Sequence, residues 1–181
     1  SCEADPQFTH LVTRKSRIMT VRQNRLATSA TTGQLIVVAQ ASSAAASGGD
    51  GSTENPFNTL SDAVAAAGEG GIIFVRNGSF TESVELQNGQ RLLADGFLDT
   101  TPHLLNTQNG VIALPDQQTR ADVVMPTITS NDPLATIKLC PSGSFIDNVE
   151  ITGLEISNTV GSGIVGFLNE GLVIRDNVVT G

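Results

Sequence analysis

No tryptophan and no tyrosine occur among the 181 residues, and seven phenylalanines make up the whole aromatic complement. A core without bulky anchors has to be filled by many small and β-branched side chains, Val, Ile, Thr and Ala, and these suit strands. The same lack weakens an ordinary sugar-stacking site, since only Phe can supply a ring. Charge is scarce as well, at 15% of residues, and it is unevenly spread. Residues 1–30 hold Arg14, Lys15, Arg17, Arg22 and Arg25 against Glu3 and Asp5. Residues 31–181 therefore keep five of the ten basic groups and sixteen of the eighteen acidic ones, a net charge of −11. Such a body repels nucleic acid and anionic lipid, so no nucleic-acid partner is expected. The basic stretch has no long Lys/Arg run and no interleaved aromatics, and it reads as a solvated connector. Two cysteines, Cys2 and Cys140, exclude a small disulfide scaffold. Cys140 lies in the apolar run Ile137-Lys138-Leu139-Cys140-Pro141 with neither histidine close in sequence, and it reads as a buried structural thiol. No apolar run approaches the ~18 residues of a membrane helix, so no membrane insertion by this segment is expected.

What remains is one domain's length of chain, 18 of its residues glycine, with apolar runs cut short by Gly, Asn and Asp. Residues 1–33 show no sustained period and read as connector or tail. Residues 34–39 form the first clear strand and lead into a small-residue loop over 42–52 that Pro56 closes. Residues 59–67 carry the one good helix signature, with Leu60, Ala63, Val64 and Ala67 at i, i+3, i+4 and i+7, a cap at Asn58 or Thr59, and Gly68 as the stop. A short helix with one apolar stripe would bury it by covering the open end of the strands after it. From Gly71 onward strands of about 3–5 residues are expected at 72–75, 84–86, 91–94, 110–114, 136–139, 149–151, 154–156, 163–165 and 172–174. Strands this short suit a solenoid better than a sandwich, where roughly 5–6 residues are usual. A 23-residue repeat is visible, in which Val149, Ile151 and Ile156 align with Leu172, Ile174 and Val179 at one constant offset. Stacking at that period places Ile151 beneath Ile174, and Asn148 or Asn158 at a corner where a side-chain ladder can begin.

The stretch Gly49-Asp50-Gly51-Ser52-Thr53-Glu54-Asn55-Pro56-Phe57-Asn58-Thr59-Leu60-Ser61-Asp62-Ala63, followed by Gly70-Gly71-Ile72-Ile73-Phe74-Val75 and Val84-Glu85-Leu86-Gln87-Asn88-Gly89-Gln90-Arg91-Leu92-Leu93, resembles the opening of pectin-lyase-like right-handed β-helix domains. There such a segment forms an N-terminal capping helix and the first coil. The polar region before residue 48 and the Gln90-Arg91-Leu92-Leu93 step look further like the β-helical segments of inverse-autotransporter and related bacterial surface proteins. The resemblance covers about residues 35–181. It implies an all-β chain, a right-handed parallel β-helix with a short N-terminal capping helix, over residues 34–181, as a fragment of a longer domain. It also implies export to the cell surface or outer-membrane exterior, and contact with polysaccharide, host or cell-surface glycan, or protein. It carries over no catalytic set, because lyases and hydrolases of that superfamily place their Arg, Lys, carboxylate and Ca²⁺ groups on later, central coils.

Several residues are nonetheless candidates. Arg91, Asp95, Asp99 and His103 lie close enough in sequence to supply acid, base and cation, although Asp95-Gly96 is ordinary turn chemistry and His103, after Pro102, reads as a solvated loop residue. Asp147, Glu150, Glu155, Glu170 and Asp176 are the carboxylates of the clearest repeats. Asp147 and Glu170 stand one repeat apart, so stacking makes them neighbours, and a Ca²⁺ ion is what two adjacent carboxylates allow. Neither a D-x-D-x-D loop nor a Gly-Gly-Asp nonapeptide supports that metal reading. Arg175 and Asp176 adjoin, but strand neighbours face opposite ways. Asp50, Asn55 and Asn58 in the Gly-rich loop lack the Lys-Ser/Thr of a phosphate loop and read as a structural lead into the helix. No catalytic or cofactor-binding residue is assigned. The expected function is a structural or adhesive stalk, or a glycan-contacting passenger. The alternative is the N-terminal part of a polysaccharide lyase or glycoside hydrolase whose catalytic coils lie beyond residue 181. An open last coil would expose strand edges and apolar core.

Overall fold

The computed structural model describes residues 26–30, 33–41, 49–76, 78–94, 103–114, 124–139, 145–167 and 170–180. Cys2, Asp95, Asp99 and Cys140 lie outside them. Short runs of Val, Ile and Leu between glycines and asparagines give fourteen strands among these residues: β1 (Ile36–Ala39), β2 (Ile72–Val75), β3 (Ser79–Thr81), β4 (Val84–Glu85), β5 (Arg91–Ala94), β6 (His103–Thr107), β7 (Gly110–Leu114), β8 (Thr127–Ser130), β9 (Ala135–Lys138), β10 (Glu150–Thr152), β11 (Glu155–Asn158), β12 (Ser162–Val165), β13 (Val173–Arg175) and β14 (Val178–Thr180). One helix, α1 (Leu60–Ala67), joins them. The chain is mostly β, and its large sheets are parallel.

A first sheet has the order β1-β2-β5-β10-β13, a second β14-β11-β8-β3, and a third β12-β9-β4. From β2 onward the chain visits first, second and third sheets in rotation, so each strand pairs with one from the preceding round rather than with its sequence neighbour. Ile151 sits against Ile174, and Ile156 against Val179, as the sequence repeat requires. Other rounds differ in length, and β2 precedes β5 by only 19 residues, counted from Ile72 to Arg91. β8 precedes β11 by 28 residues, counted from Thr127 to Glu155. The round from β9 to β12 is one residue shorter than that, with Ile137 paired to Ile164.

The inward columns follow from period-two alternation. Val37, Ile73, Leu92 and Ile151 line the first sheet, Phe80, Ile128 and Ile156 the second, and Val84 and Ile137 the third, all within one buried cluster. Helix α1 packs on β1, β2 and β4, and its whole predicted stripe of Leu60, Ala63, Val64 and Ala67 is buried there. Thr59 caps it by accepting from the Asp62 N–H, and Gly68, at φ 67°, ends it.

Between β5 and β8 the rotation is interrupted by an antiparallel hairpin, β6–β7. It folds over the outer face of the first sheet, where Ile36, Val38, Ile72, Phe74 and Leu93 bury with Leu105 in a second apolar cluster. Residues 26–30, inside the stretch read as connector, bond to its edge: Ala30 N–H donates to Asn106 C=O, and Gln108 N–H to Thr28 C=O.

Candidate functional site

A corner column precedes every strand of the first sheet from β2 onward. Gly70, Gly89, Asn148 and Gly171 all adopt left-handed φ, between 57° and 71°, two residues before Ile72, Arg91, Glu150 and Val173. Only Gly, or Asn with its short amide, accepts that conformation cheaply. The residue before each turn ties the rounds together. Asn88 Oδ1 accepts the Asp147 N–H at 2.8 Å, and Asp147 Oδ1 accepts the Glu170 N–H at 2.8 Å. The 23-residue repeat thus brings Asp147 and Glu170 together, joined by a hydrogen bond from the Glu170 backbone to the Asp147 side chain. Among the described residues no group of three or more His, Cys, Asp and Glu side chains gathers in a way that would hold a metal ion.

On the outer face of the first sheet, just past the hairpin, Glu150 receives two arginines. Arg91 Nε donates to Oε2 at 2.6 Å, and Arg175 donates through Nη2 at 3.0 Å and Nε at 3.3 Å to Oε1. Burial opposes ionisation of this carboxyl, but the hydrogen bonds and charges of Arg91, then those of Arg175, outweigh it and hold its pKa below the ordinary value. A carboxylate so held is a poor proton donor or acceptor at neutral pH. Asp176, read in sequence as the strand neighbour of Arg175, instead occupies a left-handed turn at φ 56°, one repeat after Gly153 at φ 80°.

His103 corrects a second expectation. It is not a solvated loop residue: it lies on β6 with 7% exposure, and its Nε2 is 3.3 Å from the Ala94 carbonyl oxygen. The cause is the alternation of His103, Leu105 and Thr107, which turns all three toward the first sheet. Arg91 is committed to Glu150, so those two members of the sequence cluster serve separate structural contacts. In the Gly-rich loop, Asp50 Oδ1 accepts the Ser52 N–H, and the Asn55 carbonyl accepts from Asp50 and Gly51. A Cβ on Gly49 would meet the Pro56 carbonyl, so the loop closes on itself and leads into α1.

The outer face of the second sheet carries hydroxyl side chains in register. Register there aligns Ser79, Thr127, Glu155 and Val178 in one column and Thr81, Thr129, Ser157 and Thr180 in another. Ser79, Thr81, Glu155, Val178 and Thr180 are exposed and the others half-buried. Thr129 Oγ1 donates to the Phe80 carbonyl at 3.3 Å, which orients part of the array. The result is a row of hydroxyls at the strand spacing of ~4.8 Å, able to donate and accept along an extended partner. The sequence does contain its signal, the Ser-Phe-Thr and Thr-Ile-Thr alternation at 79–81 and 127–129, but neither segment stands out as an apolar run.

A cleft of about 350 Å³ opens beside this face, with Glu82 and Asp132 among its lining. Both carboxylates are engaged. Glu82 accepts the N–H groups of Leu60 and Ser61 and the Ser61 hydroxyl, gripping the start of α1 from 22 residues away. Asp132 accepts from Lys138 Nζ and from the Leu134 and Ala135 N–H groups, which hold its pKa below the usual carboxylate range. A second cleft, of about 690 Å³, lies along α1 with Phe57, Asn58 and Asp62 on its walls, and Asp62 accepts there from the Thr59 hydroxyl. No helix among the described residues is long and apolar enough to cross a membrane. Searched against known proteins, the chain matches no family model, no curated protein and no solved structure.

Proposed function

We propose that this chain forms a right-handed parallel β-helix and serves as a rigid, non-catalytic stalk or passenger segment of an exported or cell-surface protein, presenting the second sheet's hydroxyl face to a glycan. The carrying observation is the rotation of the chain through three parallel sheets in fixed register. That rotation stacks one round on the next and satisfies backbone hydrogen bonds from round to round. Right-handedness is the sense that parallel crossover connections take in ~98% of cases. Export and surface location rest on the resemblance of residues 49–93 to β-helix openings. The non-catalytic reading draws its support from Glu82, Asp132, Asp147 and Glu150, each of which makes a structural contact.

The test is a panel of polyuronates and neutral glycans, with and without Ca²⁺, read both as binding and as release of unsaturated products or reducing ends. Binding without release is expected, and Thr129→Val with Thr81→Val, which removes two hydroxyls without adding charge, should weaken it by about tenfold. Product release by this protein would overturn the non-catalytic reading. Absence of binding across the panel would remove the glycan and leave a structural role.

A further inference from the structure

Of the eight residues in the two outward columns of the second sheet, seven are uncharged. The exception is Glu155, which is exposed and stands between Thr127 and Val178 in its column. Other carboxylates are held firmly: Glu82 accepts from the start of α1, Asp132 from Lys138, Asp147 from the Glu170 N–H and Glu150 from two arginines. Glu155 is tied more loosely, with the Thr127 hydroxyl 3.5 Å from its Oε2. The described cations are engaged elsewhere. Arg76 donates to the Thr53 carbonyl, Arg91 and Arg175 to Glu150, and Lys138 to Asp132 on the adjoining cleft. The hydroxyl face therefore carries one carboxylate and, among the described residues, no cation, on a body whose net charge over residues 31–181 is −11.

We infer that Glu155 is the specificity-determining residue of this face and selects a glycan bearing free, protonated amino groups over an N-acetylated or a uronic one. The inference rests on the glycan reading of the hydroxyl face and names the class of sugar. An ammonium group meeting the Glu155 carboxylate makes a charge-assisted hydrogen bond, stronger than those the neighbouring hydroxyls make. Thr127, one strand away in the same column, and Ser157, two residues on along the same strand face, offer hydroxyls to the remaining polar groups of the ring. An N-acetylated sugar keeps those hydroxyl contacts and loses the ion pair. A uronate brings a second carboxylate beside Glu155 with no described arginine or lysine to offset it, and the negative body repels the rest of its chain. The order of affinity that follows is amino glycan, then acetylated glycan, then polyuronate.

The experiment measures binding by calorimetry at low ionic strength and about pH 6, where a free amino group is protonated. Three probes of equal length are compared: an N-acetylated hexosamine oligomer, its de-N-acetylated form and an oligouronate. The de-N-acetylated form should bind about tenfold tighter than the acetylated one, and the gap should narrow as salt is raised to about 1 M. Glu155→Gln, which removes the charge and keeps the shape, should close the gap, leave the acetylated probe's affinity unchanged and leave the melting temperature where it was. Equal affinity for the acetylated and de-N-acetylated probes, or a gap that survives Glu155→Gln, would overturn the inference while the glycan reading stands. An oligolysine of matched charge that binds as tightly as the amino glycan would also overturn it, since the face would then take a basic polypeptide. Binding of none of the three glycans would remove the glycan reading itself, and this inference with it.

Discussion

Glu150 is a single side chain held by two rounds of the chain at once. Its carboxylate is shared by Arg91 and Arg175, from two different rounds, and its pKa in the folded protein lies below that of the unfolded chain. The stabilisation from this group is therefore complete above the unfolded value of about 4.3 and is lost as pH falls through the lower folded value. Glu150→Gln should cost on the order of 1 kcal/mol at neutral pH, and the gap to the parent protein should close on acidification below about pH 4. Denaturant melts of both proteins at pH 7 and pH 3 check this, and a gap independent of pH would contradict it. In sequence, Asp147 and Glu170 are legible as neighbours because one unbroken repeat separates them. Arg91 and Glu150 are not, because they stand 59 residues apart and the hairpin between them follows no repeat. Asn158, expected at a corner, is there, but it bonds to backbone: its amide donates to the Asp132 carbonyl and accepts from Val160 and Gly161.

Helix α1 is readable from sequence almost to the residue, because an i, i+3, i+4, i+7 stripe flanked by Thr59 and Gly68 is a local signal. Its grip by Glu82 is not local and leaves no trace in the sequence. The hairpin is harder. β7 is an apolar run and reads as a strand, but β6 alternates His, Leu, Leu, Asn and Thr, and nothing in that pattern says it covers another sheet. Its burial of Leu105 at 2% exposure accounts for an outer face on β1, β2 and β5 as apolar as the inner one. Leu105→Ala should destabilise by about 2–5 kcal/mol, and exchange of the β6 amides should quicken ahead of those in β2 and β5. Equal quickening throughout would mean that the hairpin is not a separable cover.

At the scale of the whole molecule, short strands and one clean repeat point to stacked parallel rounds, and three parallel sheets visited in rotation are what the chain forms. A constant period is too simple an expectation, since a round of 23 residues stands beside one of 28 residues. The extra residues sit in connections, where length is tolerated, while the paired columns keep their register. That register is the foundation of the hydroxyl face, and cysteine pairing tests it most directly. In a chain with Cys2 and Cys140 replaced by Ser, Glu155→Cys with Val178→Cys places two outward cysteines on directly paired residues. Their Cα atoms should fall within the ~4.4–6.8 Å that a disulfide spans, so mild oxidation should link them nearly completely. Ser157→Cys with Val178→Cys, two positions out of register and beyond ~7 Å, should not link. Linking of the second pair, or of both equally, would contradict the parallel register on which the proposed β-helix rests.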